Sequence, residues 1–107
     1  MSRPVAYGSV FNALADPTRR AVLYSLRGQD RAALDIANVV KASPSALSQH
    51  MAVLKAAGLV EQTKAGRQRI YRLQAQPLKE IADWVFSFEE FWDTKFAALE
   101  RFLEERP

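Results

Sequence analysis

The polar side chains in the middle of this sequence have the types and spacing to bind a base edge or a phosphate. The spacing of Leu47, Met51 and Leu54 predicts a helix with an apolar back and a polar front. A glutamine amide can pair with adenine through two hydrogen bonds, and a serine hydroxyl can reach a base or a phosphate. His50 fits a phosphate contact as well as it fits packing against a neighbouring helix. The candidate contact residues of this segment are Ser43, Ser45, Ser48, Gln49 and His50.

A second group of candidate residues surrounds Gly66. The segments 59–63 and 69–73 are strand-like, and the glycine between them predicts a β-hairpin with its turn in 64–68. Cations at a hairpin tip are ordinarily solvated. Directly after two helices, however, such a hairpin is a wing, and phosphates or the minor groove become the expected targets. The cations concerned are Lys64, Arg67 and Arg69.

Catalytic chemistry is not expected from this composition. The chain has no cysteine and a single histidine, His50. Disulfides, thiolate metal sites and a cysteine nucleophile are therefore excluded, and one histidine makes neither a catalytic triad nor a metal centre. We expect no catalytic residue, no metal site and no cofactor.

Charge is distributed unevenly along the 107 residues, which suit a single domain. Residues 1–74 hold 11 Lys and Arg against four Asp and Glu, whereas residues 75–107 hold four against eight. The basic part can attract a polyanion, and the acidic part should point away from it. The sequence lacks an apolar N-terminal stretch and any run of ~20 apolar residues, so a cytoplasmic protein is expected.

Local signals predict a helix-turn-helix. Asp16 and Pro17 form a helix start, with Gly28 as the stop, and Ser43 before Pro44 repeats the start signal. Residues 34–40 suit a short helix, so three or four residues separate it from the helix that follows. Ser43 can cap that helix and bind a phosphate as well. The roles of three further arginines stay open. We expect Arg19 and Arg20 to face the phosphate backbone or an acidic neighbour, and Arg72, near a strand end, is a candidate for a structural role instead of a DNA contact.

The end of the chain predicts a long apolar helix over 77–105, and residues 5–14 have a helix-like spacing as well. The C-terminal stripe has heptad-like spacing and is rich in aromatics, so it suits a dimer interface, an intramolecular core, or both. A third possibility is a small-molecule pocket lined by Trp84, Phe88 and Trp92. The predicted interface residues are Val10, Phe11, Trp84, Phe88, Trp92 and Leu99.

The runs 11–20 and 44–60 together closely resemble the ArsR-type family of bacterial and archaeal winged-helix repressors. The tail from Phe91 and Trp92 onward resembles the branch of that family that lacks metal sites, and the resemblance covers about residues 8–103. It implies a mainly α fold, a winged helix-turn-helix of five to six helices with a two-stranded β-hairpin wing. It further implies a long C-terminal dimerisation helix, dimers formed by the first and last helices, and a second helix of the motif in the major groove.

Two departures from the family pattern bear on function. The family often has Lys or Arg where this chain has Ala52, which removes a phosphate contact there. Metal-sensing members carry two cysteines at positions that fall on Ala32 and Leu34. Neither side chain can ligate a metal, so the resemblance implies a regulator that does not respond to metals.

The sequence thus predicts one winged-helix domain over 1–107 that dimerises through residues 5–14 and 77–105. The expected function is that of a sequence-specific repressor binding double-stranded DNA as a homodimer on a palindromic operator. The alternatives are a protein-interaction module of the same fold and a small-molecule-sensing regulator with an aromatic pocket near the C-terminal helix. An unidentified small-molecule effector is a further candidate partner, and no membrane partner is expected.

Overall fold

The computed structural model describes residues 4–105, and the side chains of residues 8–105. These residues form six helices and a three-stranded sheet, so the expected mainly helical winged helix-turn-helix is confirmed, with one strand more than predicted. In chain order the elements are α1 (Pro4–Leu14), α2 (Pro17–Ser25), β1 (Arg31–Ala32), α3 (Ala33–Val40), α4 (Pro44–Ala56), β2 (Val60–Ala65), β3 (Gln68–Leu73), α5 (Gln76–Phe86) and α6 (Glu89–Glu105).

Both predicted start signals cap a helix. The Asp16 carboxylate accepts a hydrogen bond from the Arg19 backbone N–H at 3.0 Å, and the Ser43 hydroxyl accepts one from the Ala46 backbone N–H at 3.2 Å. Each bond satisfies an N–H group that the first helical turn leaves unpaired. Three residues join α3 to α4, and the first of them, Lys41, is left-handed with φ 57°. The helix-turn-helix therefore begins and ends close to its predicted positions.

The sheet is antiparallel in the order β1-β3-β2, and its outer strand β1 was not predicted. β1 has two residues, too few to show a periodicity. The hairpin strands are longer than expected, because Ala65 pairs with Gln68 and only Gly66 and Arg67 remain in the turn. Glycine at the first position of a two-residue turn, here with φ 64°, is what a type II′ hairpin requires.

The core lies between the helix-turn-helix and the base of the hairpin. Helices α1 to α4 and strands β2 and β3 all contribute buried side chains, and Leu54 and Ile36 are fully buried. Among the described residues, α5 contributes only partly buried Leu78 and Ile81, which pack against this cluster. The buried residues are Val10, Ala13, Val22, Leu23, Leu26, Ile36, Ala37, Leu47, Met51, Leu54, Leu59, Val60 and Tyr71.

The predicted C-terminal helix is divided at Ser87 and Phe88. The Ser87 hydroxyl and backbone N–H both donate to the Trp84 carbonyl, and the Phe88 N–H donates to Val85. A serine that bonds back to the preceding turn bends a helix in this way. We call residues 84–105 the C-terminal arm. Every side chain in the arm is exposed, and the radius of gyration is 18.8 Å where about 13 Å is typical of a compact chain this long.

Candidate nucleic-acid interface

The outward face of α4 is a continuous polar stripe. Ser45, Ser48, Gln49 and Ala52 are all exposed and follow one another at intervals of three, one and three residues, so they share one helix face. The opposite face buries Leu47, Met51 and Leu54 in the core, as predicted. The stripe offers hydroxyl and amide groups without a side-chain charge. This chemistry suits hydrogen bonding to base edges.

Ser43 lies at the start of α4 and is bound to the helix itself. Its hydroxyl caps Ala46 and stands 3.4 Å from the Ser45 hydroxyl. The side chain remains exposed. Capping and a contact with an outside phosphate are compatible, since a hydroxyl accepts two hydrogen bonds and donates one.

His50 is turned away from this stripe. It is half-buried, and its Nδ1 lies 3.3 Å from the Arg19 guanidinium and 3.9 Å from an Asp16 carboxylate oxygen. The hydrogen bond from the Arg19 backbone, opposed by partial desolvation and aided by the charges of His50 and Arg19, lowers the pKa of Asp16 below its usual value of 3.8. Of the two roles considered for His50, these contacts match packing against α2.

Among the described residues, neither Arg19 nor Arg20 forms an ion pair with an acidic side chain. The Arg19 guanidinium donates to the Ala13 carbonyl at 2.8 Å and to the Asn12 carbonyl at 2.9 Å, and Arg20 donates to the Leu14 carbonyl at 2.9 Å. Both arginines thus donate to carbonyls in the last turn of α1, where a helix lacks its own N–H donors. The sequence analysis missed this role, although two cations shortly after a helix end are compatible with it.

Arg19 also joins three elements. It sits on α2, holds the end of α1 and reaches His50 on α4. Arg19 therefore adds hydrogen bonds to the direct packing of α1 and α4 in the core. Elsewhere Arg72 pairs with Asp30 at 3.1 Å, which matches a structural role and raises the pKa of Arg72.

The wing carries cations that the described part of the chain leaves without an ion pair. Lys64 and Arg69 are directly opposite each other on β2 and β3, and Arg67 is in the turn between them. All three are exposed. Like charges directly opposite on paired strands repel each other. An anion placed against this hairpin would relieve that repulsion.

The wing and the front of α4 are neighbours. Arg69 and Tyr71 are two residues apart on β3, so both side chains lie on the same face of the sheet. On this face the Tyr71 side chain is buried. Arg69 and Ser48 line the same cavity of about 150 Å³. The polar stripe and the wing cations accordingly lie next to each other, although 21 positions separate Ser48 from Arg69 in the sequence.

The predicted interface residues fall into two groups. Val10 is buried in the core, so its side chain has little surface left for a partner. Phe11 packs edge to face on Trp84 at 5.8 Å, and Trp84 packs in the same way on Phe88 at 5.3 Å. The structure thus brings α1 and the arm together through aromatic rings that remain about half exposed. Trp92 and Leu99 continue the exposed row along α6.

The positions compared with metal-binding cysteines lie where β1 meets α3. Ala32 precedes the first turn of α3, and Leu34 is exposed within it. Within residues 4–105 no three His, Cys, Asp or Glu side chains come together as a metal ion would require. No helix in this range is long and apolar enough to cross a membrane.

The chain is similar in sequence to known regulators of transcription. The family described as "Bacterial regulatory protein, arsR family" matches residues 16–62. The transcriptional repressor SdpR of Bacillus subtilis is 35% identical over 80 residues, which are 75% of this chain and 89% of that protein. A cadmium resistance transcriptional regulatory protein, the CadC homolog of Staphylococcus aureus, is 32% identical over 78% of this chain and 69% of its own length.

Among solved structures, an ArsR-like transcriptional regulator from Rhodococcus sp. RHA1 superposes with a TM-score of 0.75. It is 33% identical, and the match covers 97% of this chain and 95% of that one. The relatives named here are regulators of transcription and not enzymes.

Proposed function

The chain belongs to the ArsR family of bacterial transcriptional regulators, and on that premise we propose that it is a cytoplasmic, sequence-specific DNA-binding repressor. It acts as a homodimer on a palindromic operator and does not respond to metals. The observation that carries this proposal is the meeting of an uncharged polar stripe on α4 with unpaired cations on the wing. Base edges and phosphates are the two surfaces that this pair of features fits.

Base reading falls to the stripe on α4. Gln49 is at the centre of the stripe, four residues after Ser45 and next to Ser48. Its amide can donate to one acceptor and accept from one donor of an adenine in the major groove. Since the stripe has no charge of its own, affinity for the DNA backbone has to come from elsewhere.

Phosphate binding falls to Lys64, Arg67 and Arg69. The arginines of the body are already engaged, because Arg19 and Arg20 hold the end of α1. Lys64, Arg67 and Arg69 have no ion pair among the described residues and are therefore available to a phosphate or a narrow minor groove. His50 takes no part in base reading and instead supports α4 from behind.

Dimerisation through α1 and the arm follows from what the chain leaves uncovered. Trp84 packs on both Phe11 and Phe88, and the rings of these three residues and of Trp92 are all about half exposed. Exposed aromatic surface of this extent marks an interface with another protein. Two protomers related by a twofold axis would meet half-sites roughly 34–36 Å apart, and the operator is then an imperfect palindrome.

Metal independence rests on side-chain chemistry. The chain has no cysteine, and the methyl group of Ala32 and the isobutyl group of Leu34 offer no donor atom. Zinc, cadmium and arsenite should leave the operator affinity within error. A reproducible tenfold loss with one equivalent of any of these metals would contradict metal independence.

The decisive experiment compares two substitutions on two DNAs over a range of salt concentrations. The cognate DNA is the segment upstream of the gene itself, and the control is random DNA of the same length. Gln49→Ala should cost about 1–3 kcal/mol on the cognate site and little on random DNA. Arg67→Ala should lower the affinity for both DNAs by nearly the same factor, because a phosphate contact carries no sequence information.

Salt dependence separates the two roles. A dimer carries each substitution twice, so Arg67→Ala should reduce the slope of log affinity against log salt by up to about 2 units. Gln49→Ala should leave that slope unchanged. Equal losses on both DNAs for Gln49→Ala would remove this residue from base reading. An unchanged slope for Arg67→Ala would mean that the wing tip is merely solvated.

A further inference from the structure

A cavity of about 150 Å³ lies between α3, α4 and β3. Its walls are mostly apolar, with Leu34 and Ala37 from α3 and Leu47 and Met51 from α4. A cavity of about this volume with apolar walls is large enough to hold one benzene ring. The cavity is far below the volume of a pocket for a drug-sized ligand, so it selects for a small molecule.

Three polar side chains line the cavity, Ser48 from α4 and Arg69 and Tyr71 from β3, and the Tyr71 hydroxyl donates to Gln62. Arg69 and the Ser48 hydroxyl both line it, and within the described residues neither makes a hydrogen bond or an ion pair. A second cavity of about 170 Å³ shares Ala33, Leu34 and Arg69 with the first and adds Arg67. Apolar walls with an available guanidinium at the edge fit an apolar body that carries one anionic group.

We propose that this cavity binds a small aromatic monocarboxylate, with the ring against Met51 and Leu47 and the carboxylate on Arg69. The carboxylate and the guanidinium form a charge-assisted pair, and Ser48 can donate a further hydrogen bond. The regulatory part of the proposal rests on the proposed function. A carboxylate on Arg69 takes a wing cation away from phosphate and occupies Ser48 on the stripe of α4, so the ligand lowers the affinity for DNA.

Met51 makes the site directly observable. It is one of only two methionines in the chain, the other being Met1, and its side chain lines the cavity. In protein labelled with ¹³C at the methionine methyl groups, the ring current of bound benzoate should shift the Met51 resonance. This shift should reach a plateau as the benzoate concentration rises. Acetate, which has the charge without the ring, and benzamide, which has the ring without the charge, are the comparison probes.

Two variants and one matched control test the site. Ala33→Leu fills the cavity at a half-buried position and should abolish the benzoate shift. Arg69→Gln should weaken benzoate about tenfold, to the level of benzamide, because a hydrogen bond to a charged group is worth about that factor. Arg67→Gln is the matched control, because Arg67 lies in the hairpin turn, two residues before Arg69, and does not line the first cavity. It should change the affinity for benzoate less than twofold. Far-UV circular dichroism checks that each variant is folded.

The result that overturns the site is an unshifted Met51 resonance in benzoate, or equal benzoate affinity in wild type and Ala33→Leu. The effect of the ligand on DNA binding is measured separately, by titrating benzoate into the operator complex of wild type and of Ala33→Leu. Wild type should lose affinity at least fivefold and Ala33→Leu should not respond. Benzoate binding without any loss of DNA affinity overturns the regulatory part. A protein that shifts Met51 but binds no DNA overturns the proposed function and leaves the site standing.

Discussion

The helix-turn-helix body and the C-terminal arm are both rich in apolar side chains, but they differ in how much of that apolar surface they bury. The body, residues 8–81, buries many of its apolar residues in one cluster, which includes Leu54 and Ile36 at 0% exposure. The arm leaves every side chain exposed, with Trp84 at 53% and Phe96 at 62%. Both regions are regular helix over most of their length, so helix formation does not distinguish them.

The difference lies in what each region packs against. In the body, helices from distant parts of the sequence meet around Met51 and Tyr71. In the arm, Trp84 reaches Phe11 of α1, whereas the rings further along contact neighbours in sequence, such as Phe91 with Trp92 at 5.3 Å and Trp92 with Phe96 at 6.2 Å. Helical stability comes mainly from packing an apolar face, so we expect the arm to depend on a partner that the body does not need.

The largest expected effect comes from charging the arm. Phe88→Glu combined with Trp92→Glu should weaken dimerisation about a thousandfold or more, since interface aromatics each contribute roughly 2 kcal/mol or more. Sedimentation should then find a monomer at concentrations where the unmodified protein is dimeric. Thr94→Glu, on the polar side of α6, is the control and should leave the dimer intact. A well-folded monomer of the unmodified protein would contradict the comparison.

Removing one buried side chain from the body should have the next largest effect. Leu54→Ala leaves a cavity in a fully packed position and should lower the free energy of unfolding by about 2–5 kcal/mol. The same change in the arm, Leu99→Ala, should cost less than about 0.5 kcal/mol when it is made in the monomeric double variant. Urea denaturation measures both. Equal costs would mean that the arm packs on its own body.

The junction between α1 and α2, where Asp16 caps α2, should respond to acid. The pKa of Asp16 is lower in the folded protein than in the unfolded chain, where it is about 4. The ionised carboxylate therefore stabilises the fold fully at pH values above that unfolded pKa. That contribution is lost as pH falls through the lower, folded pKa. Asp16→Ala should therefore lower the melting temperature at pH 6, and the difference from wild type should shrink below about pH 4.

Asp93 is the matched residue in the arm. Its carboxylate receives no hydrogen bond from the described residues, so Asp93→Ala should leave the melting temperature nearly unchanged at both pH values. A melting temperature of Asp16→Ala that differs from wild type by the same amount at pH 6 and pH 3 would refute the assignment of the cap.

The smallest expected effect concerns the turn of the helix-turn-helix. Lys41 is left-handed, a conformation that costs an L-residue about 1–2 kcal/mol and glycine almost nothing. Glycine loses more entropy on folding, so Lys41→Gly should raise the free energy of unfolding by roughly 0.5 kcal/mol. Lys55→Gly, the same change inside α4, should lower it by about 1 kcal/mol. A loss of stability in Lys41→Gly would contradict this explanation.

Much of the candidate interface could be predicted because its signals are local. Pro44 and the spacing from Leu47 to Leu54 determine which face of α4 is buried, so the exposure of Ser48 and Gln49 follows. The wing was predicted as a hairpin around Gly66, but its register was not. The pairing of Lys64 with Arg69 depends on the turn length, and several turn lengths suit the same five residues.

The sequence by itself determined the helix starts at Asp16 and Ser43, the apolar back of α4 and the unequal distribution of charge, because each is encoded within a few neighbouring residues. The tertiary structure alone decided that Arg19 holds the end of α1 and reaches His50, that Arg31 and Ala32 add a strand to the wing, and that Val10 is buried. Those outcomes depend on which elements meet in space, and a long side chain binds whichever carbonyl or ring the fold brings within reach.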